Sequence, residues 1–177
     1  MRSEPAEIVF RAAWRQNDPV LERDAMAFWK QLNLLPSDAS AEDRLKELCA
    51  VAYSGENVVG VSTASIHHLS FLRSKLAMYR CAVSPDARSG QVATRITLFS
   101  RNVLEQWSLA HPEEKLMGLG AVVQSRLLVE NQSEAIWPDT KFVFVGYTPA
   151  GYQMRVLWFA HATAPKDWPG PPTQGRA

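Results

Sequence analysis

One segment of the sequence combines residue types at a spacing suited to binding phosphate. It reads Ser84-Pro-Asp-Ala-Arg-Ser-Gly-Gln-Val-Ala-Thr94 and lies between an apolar run, Lys75–Val83, and a long amphipathic stretch. The pattern predicts a strand, a tight polar turn and a helix. A helix start presents backbone N–H groups without partners in the helix, together with the positive end of the helix dipole. With Arg88 in the turn, the segment is typical of a phosphate site.

The helix after this turn is predicted from apolar residues that recur every three or four positions. These residues are Val92, Ile96, Phe99, Val103 and Trp107. Such spacing places them on one face of a helix, which we expect to pack against a sheet. The packing would hold the helix start beside the end of the preceding strand.

The elements around this segment predict a mixed, largely antiparallel sheet of about seven strands with flanking helices, in the order βααββ, βα, βα, ββ. Alternation and apolar runs indicate strands at Ile8–Trp14, Cys49–Ser54, Asn57–Ser65, Lys75–Val83, Lys115–Gln124, Phe142–Tyr147 and Tyr152–Ala160. Further helices are expected from Asp18-Pro19, from Ser40, and over Ser125–Ile136. Neighbouring strands should be parallel where a crossover helix joins them.

The composition indicates one ordinary α/β domain. We expect a flexible end at 1–7, a domain at 8–162 and a disordered Pro/Gly-rich tail at 163–177. With 19 basic and 18 acidic residues, the chain lacks the basic excess typical of nucleic-acid binders. No apolar run predicts a membrane span and no signal peptide is evident, so we expect a cytoplasmic protein.

Other residues that could do chemistry are few. Cys49 and Cys81 lie in apolar stretches and are expected to be reduced, buried thiols. His67 and His68 are neighbours, so in an extended segment they would point to opposite faces and not hold one ion. No Cys/His spacing typical of a metal site is present, and we expect no metal.

The central segment resembles the GNAT superfamily of N-acetyltransferases, and the resemblance covers roughly residues 8–160. In that family a strand ending in Val-x-Pro precedes a loop, Arg-x-x-Gly-x-Gly/Ala, that wraps the pyrophosphate of coenzyme A. Val83 and Pro85 match the strand end, Arg88 matches the arginine, and Ala93 matches the last Gly/Ala. Gln91 stands at the central glycine, where it either turns its amide outward or fills the pocket.

A second, shorter match lies near the end of the fourth predicted helix. Asn131-Gln-Ser-Glu-Ala135 is similar to the family's Asn-x-x-Ala, which a proton-donating tyrosine often follows. Trp137-Pro138 occupies that region, and Tyr147 and Tyr152 fall on the last hairpin. The resemblance therefore implies no catalytic residue by number.

The resemblance implies an acyl-CoA-dependent N-acyltransferase, with acetyl-CoA or another acyl-CoA as cosubstrate and an unidentified amine as acceptor. The residues implied for coenzyme A binding are Ala82, Val83, Arg88, Ser89, Gly90, Gln91, Val92, Ala93, Thr94 and Asn131. No nucleic acid or membrane is expected as a partner. The resemblance leaves open whether the protein forms a homodimer. The alternative is a GNAT-fold binding or regulatory module without transfer activity, and a weaker one is an assembly protein that dimerises through the aromatic hairpin at 142–160.

Overall fold

The computed structural model describes residues 7–35 and 41–166, and within 88–90 only the backbone is described. Residues 1–6, 36–40 and 167–177 lie outside this part, so the expectations for both ends and for a helix start at Ser40 stay predictions. The strands are β1 Ile8–Ala12, β2 Leu48–Ser54, β3 Asn57–Leu69, β4 Ser74–Val83, β5 Leu116–Val123, β6 Val143–Tyr147 and β7 Gln153–Trp158. The α-helices are α1 Pro19–Gln31, α2 Ala41–Lys46, α3 Val92–Ala110 and α4 Arg126–Asn131, and 3-10 helices span Pro85–Gly90 and Pro112–Glu114.

The seven strands form one sheet in the order β1-β2-β3-β4-β5-β7-β6. Every neighbouring pair is antiparallel except β4 and β5, which are parallel and joined through α3. The predicted mixed, largely antiparallel sheet is thus confirmed. β7 inserts between β5 and β6, so the last hairpin closes the sheet with its first strand outermost.

Side chains of β2 pack alternately against helices on the two faces of the sheet. Val51 lies in a cluster with Phe28 and Trp29 of α1, whereas its neighbour Ala50 lies in a cluster with Val92 and Ile96 of α3. Successive side chains of a strand point to opposite faces, so α1 and α3 cover opposite sides of the sheet. The predicted apolar face of α3 is therefore confirmed as the side that packs on the strands.

The first helix begins where its residues predicted. The Asp18 carboxylate accepts hydrogen bonds from the N–H groups of Val20, at 2.9 Å, and Leu21, at 3.3 Å, and Pro19 is the first helical residue. Asp18 thus satisfies two donors that the helix leaves open. This capping fixes the entry of α1 onto the sheet.

Strands β4 and β5 separate before either of them ends. Their pairing stops at Met78 and Gly120, although β4 continues to Val83 and β5 to Val123. On its other edge β4 stays paired with β3 as far as Val83. We call the resulting opening, between residues 79–83 of β4 and 121–123 of β5, the β4–β5 gap.

Two predicted elements differ in extent from those observed. β3 continues through Leu69, so His67 and His68 belong to the strand rather than to a connection. The fourth helix ends at Asn131, not at Ile136, because Gln132 takes a non-helical conformation and Ile136 bridges to Val143 instead. Within residues 7–35 and 41–166, no helix is long and apolar enough to cross a membrane, and no group of three metal-binding side chains is assembled.

Candidate active site at the β4–β5 gap

A cavity of about 470 Å³ opens at the β4–β5 gap and is lined from both faces of the sheet. Trp29 and Arg44 line it on the face of α1, and Ala93 and Thr97 line it on the face of α3. The walls of the cavity thus come from both sides of the sheet, and two molecules held in it would lie close together. A site with that geometry suits transfer of a group between two substrates.

The backbone of β4 presents unpaired polar groups to this cavity. The N–H of Ser84, the residue after β4, donates to the carbonyl of Val59 in β3 at 2.9 Å, so this N–H points toward β3. Because N–H directions alternate along a strand, the N–H groups of Val83 and Cys81 point toward the gap instead. No strand pairs with β4 there, and their N–H groups are available to a carbonyl oxygen.

The start of α3 lies beside the same cavity. The first intrahelical bond of α3 runs from the N–H of Arg95 to the carbonyl of Gln91 at 3.0 Å, and the side chain of Gln91 does not cap the helix. The N–H groups of Val92, Ala93 and Thr94 therefore have no acceptor within α3 itself. Ala93 and Thr94 line the cavity, which places the positive end of the helix dipole at its wall.

A buried polar cluster that the sequence reasoning did not identify supports this wall. The hydroxyls of Tyr79 and Thr97 are 3.1 Å apart, and Thr97 also donates to the carbonyl of Ala93 at 2.7 Å. Burial is the main cause that raises the pKa of Tyr79 well above its usual value. Tyr79 therefore keeps its proton and acts as a hydrogen-bonding group that holds α3 against β4. An apolar strand pattern gives no signal for such a tyrosine.

The two cysteines differ in their surroundings, and one of them corrects the sequence-based expectation. Cys49 is buried, and its burial raises the pKa of the thiol to about 12. Cys81 was expected to be buried as well, but it is exposed in the recess of the cavity, because β5 has already separated from β4 at this level. Desolvation by the protein atoms around this recess is the main cause that raises the pKa of Cys81 above that of a free thiol.

We expect a thiol reagent to distinguish the two cysteines. N-ethylmaleimide should modify Cys81, at a rate below that of a free thiol, and leave Cys49 unmodified in the folded protein. Peptide mass mapping after timed exposure measures both. Equal modification of the two residues in folded protein would contradict the exposure described for this site.

Comparison with known proteins identifies the architecture. No protein-family model and no curated protein sequence matches the chain. Among solved structures, the putative acetyltransferase yncA from Salmonella typhimurium with its cofactor acetyl-CoA superposes with a TM-score of 0.54 at 12% identity, covering 90% of this chain and 99% of that one. A GNAT-family acetyltransferase from Streptococcus pneumoniae gives 0.51 at 13% identity, covering 86% and 100%.

A third structure, a mutant of the toxin AtaT bound to the C-terminus of the antitoxin AtaR and to acetyl-CoA, gives a TM-score of 0.51 at 12% identity, covering 88% of this chain and 94% of that one. The chain has the GNAT fold. This confirms the architecture that the residues around Arg88 implied. Most of the predicted site residues lie at the end of β4, in the turn that follows it, or in the first turn of α3.

The predicted site residues other than Gln91 and Asn131 divide into three groups. Ala82, Ala93 and Thr94 line the cavity. Val83 and Val92 are buried together in the packing between β4 and α3, so only their backbone groups are available to a ligand. The backbone of residues 88–90 lies in the 3-10 helix before α3, whereas the side chains of Arg88 and Ser89 lie outside the described part, so their roles stay predictions.

Asn131 lies at the exposed end of α4 and does not line the cavity. Leu128 and Gln132 of the same region do. Because α4 is less than two turns long, a one-residue change in where it ends decides which side chain faces the gap. The binding role proposed for Asn131 therefore has no support from its position, and Gln132 is the nearer amide.

Gln91 occupies the glycine position of the GNAT loop and keeps a glycine-like conformation. Its φ is 54° and its ψ is 20°, which is the left-handed region that glycine enters without strain. Its side chain is exposed and does not line the cavity, in keeping with an amide that is turned outward. The backbone at Gln91 thus has a conformation that a glycine would adopt readily.

Replacing Gln91 with glycine should relieve this strain. We expect Gln91→Gly to stabilise the fold by about 0.5–1 kcal/mol, because left-handed backbone costs a residue with a Cβ roughly 1–2 kcal/mol and glycine loses more entropy on folding. Urea denaturation measures the change. A Gln91→Ala variant keeps the Cβ and controls for loss of the amide, and a destabilised Gln91→Gly protein would contradict the left-handed conformation.

Proposed function

We propose that the protein transfers an acyl group from acyl-coenzyme A to a primary or secondary amine. The observation that carries the proposal is the β4–β5 gap, where unpaired N–H groups of β4 and the uncapped start of α3 line one cavity. A long thioester nucleotide requires both features. Its thioester carbonyl needs donors in a dry groove, and its pyrophosphate needs a cluster of N–H groups a few residues away.

The pyrophosphate would bind at the start of α3. The N–H groups of Val92, Ala93 and Thr94 point out of the helix, and the arginine of the preceding turn, Arg88, would add a charged partner. Small side chains at Gly90 and Ala93 leave room for phosphate oxygens to approach the backbone. Charge-assisted hydrogen bonds of this kind are about twice as strong as neutral ones.

The thioester would lie along the open edge of β4. The N–H of Cys81 or Val83 would donate to the carbonyl oxygen and stabilise the negative charge that develops there. The amine nitrogen then forms a bond to the carbonyl carbon, and the carbon–sulfur bond breaks. The amine loses one proton and the departing thiolate gains one, so no oxidant or further reactant is needed.

An amine of lysine type is mostly protonated at neutral pH, with a pKa of about 10.4, and must lose a proton before it attacks. Cys81 and Tyr79 line the cavity, but both have a raised pKa and so keep their own protons at neutral pH. We therefore assign the proton to water within the cavity or to Asp139, the carboxylate residue that also lines it among the described residues. Orientation of the two substrates supplies most of the acceleration, on the order of 7–11 kcal/mol.

Ligand-induced stabilisation tests the binding step. A ligand at a hundred times its Kd adds about 2.7 kcal/mol to the free energy of unfolding, which corresponds to a rise in Tm of roughly 5–10 °C for a chain of this size. We expect this rise with acetyl-CoA and its loss in Arg88→Glu. Arg15→Glu, which reverses an exposed charge in the loop after β1 and lines neither the cavity nor the turn before α3, is the matched control.

Transfer itself separates the enzyme from the alternative binding module. Release of free thiol that depends on an added amine supports the enzyme. Stabilisation by acetyl-CoA without such release across a panel of amines supports a GNAT-fold module without transfer activity. No stabilisation at millimolar acetyl-CoA would overturn both readings of the gap.

A further inference from the structure

Two arginines meet at the α1-side mouth of the cavity, opposite the proposed coenzyme A side. Arg44 belongs to α2, Arg80 belongs to β4, and both line the β4–β5 gap together with Trp29 and Leu34. Burial lowers the pKa of Arg44, and the positive charge of Arg80 lowers it further. Both side chains therefore lie at the same mouth of the cavity and bring two positive charges to it.

Arg44 is fixed in place before any ligand arrives. Its guanidinium carbon lies 5.4 Å from the centre of the Trp29 ring, and its Nη1 donates to the carbonyl of Leu34 at 2.5 Å. Trp29 is itself buried in the core that α1 makes with β2 and β3. The cation–π contact and the hydrogen bond hold the guanidinium group in one orientation. The Arg44 side chain therefore loses less conformational entropy when a ligand binds.

Within the described residues, no carboxylate balances these charges. Neither arginine forms an ion pair with Asp or Glu inside 4 Å among 7–35 and 41–166, and Glu47 acts on Arg44 only at longer range. Asp139 also lines the cavity, but it belongs to the loop of Trp137, which packs in the core on the α3 side. As far as the described residues show, the α1-side mouth of the cavity, where the amine would enter opposite coenzyme A, is therefore positive.

We infer that the acceptor is an amine that also carries a carboxylate or a phosphate, and that Arg44 and Arg80 bind this anionic group. Arginine pairs well with both anions because its planar fork matches two oxygens. A polyamine or another cationic acceptor would meet like charge at this mouth. The inference rests on the proposed acyltransferase function and narrows its substrate class.

Binding of small matched amines tests this without relying on turnover. We would titrate γ-aminobutyrate, phosphoethanolamine, γ-aminobutyramide and putrescine into the protein, with and without saturating coenzyme A, and follow binding by saturation-transfer NMR. We expect the two anionic amines to bind at least tenfold more tightly than the neutral amide and putrescine. The ratio between the first two tells a carboxylate acceptor from a phosphate one.

Variants assign the preference to the arginines. Arg80→Glu changes an exposed residue and places a carboxylate at the same mouth as Arg44, so the preference for the two anionic amines should disappear. Arg44→Gln should weaken the anionic amines about tenfold, whereas Arg126→Gln, on exposed α4, should change nothing. Equal, undetectable or cation-preferring binding in the unmodified protein would overturn the inference. Failure of the proposed function shows separately, as absence of coenzyme A binding itself.

Discussion

Cys81→Trp should abolish acetyl-CoA binding while leaving the protein folded. Cys81 is exposed in the recess of the cavity, at the level where β5 has left β4, so an indole there would occupy the space between the strands. Overfilling a fitted site costs about 1–3 kcal/mol, and the contacts of the thioester would be lost as well. We expect affinity to fall at least about 100-fold, measured by calorimetry on purified protein.

The matched control places the same side chain elsewhere on the sheet. Val9 is 49% exposed on the outer strand β1, far from the gap in the strand order, so Val9→Trp adds an indole without touching the cavity. Both variants should unfold at similar urea concentrations. Acetyl-CoA binding by Cys81→Trp that equals binding by Val9→Trp would show that the ligand does not use the gap.

Arg155→Ala should produce the largest loss of stability on the α3 side of the site. Arg155 is 1% exposed, its guanidinium carbon lies 4.3 Å from the centre of the Trp137 ring, and its Nη1 donates to the carbonyl of Glu134 at 2.9 Å. Truncation leaves a cavity and removes the support of the loop that carries Trp137. We expect a loss of about 2–4 kcal/mol in the free energy of unfolding, measured with urea.

The comparison variant for Arg155 is methionine. Arg155→Met keeps most of the apolar volume against Trp137 and removes a buried charge that no carboxylate within 4 Å balances in the described part of the chain. Replacing a buried charge by a hydrophobic group of similar size is often neutral. We therefore expect a loss within about 1 kcal/mol, and an Arg155→Met protein as unstable as Arg155→Ala would mean that the charge itself, not the packing, stabilises this region.

The elements that could be predicted from the sequence are those with strong local signals. Asp18-Pro19 specifies a helix start through side-chain capping and the fixed φ of proline, and the apolar spacing from Val92 to Trp107 specifies one long helix. These signals depend on residues within a few positions of each other. These local signals correctly predicted α1, α3 and a turn between β4 and α3, whereas phosphate binding by that turn stays a prediction.

Other features depend on contacts that local patterns do not contain. The hairpin at the end of the chain was predicted, but nothing in Phe142–Tyr147 indicates that β7 rather than β6 would pair with β5. The length of β3 follows from its pairing with β4 through His68 and Leu69, since polar residues in a strand give a weak local signal. Sheet order is decided by tertiary packing.

Only part of the candidate site could be predicted, because only part of it depends on local sequence patterns. The turn and the start of α3 are local, and they were found. The β4–β5 gap is a break in pairing between two strands that each read as continuous, so Cys81 was expected to be buried. Arg44 and Arg80 come from separate elements and meet only in the folded protein. Their pairing carries no signature in the sequence.

A crystal structure of this protein with acetyl-CoA would test directly whether the ligand binds in the β4–β5 gap. We predict that the thioester lies between β4 and β5 with its carbonyl oxygen within hydrogen-bond distance of the N–H of Cys81 or Val83, and that the pyrophosphate contacts the N–H groups of Val92, Ala93 and Thr94. A ligand bound elsewhere on the sheet, or crystals grown at millimolar acetyl-CoA with no ligand in the gap, would contradict the account.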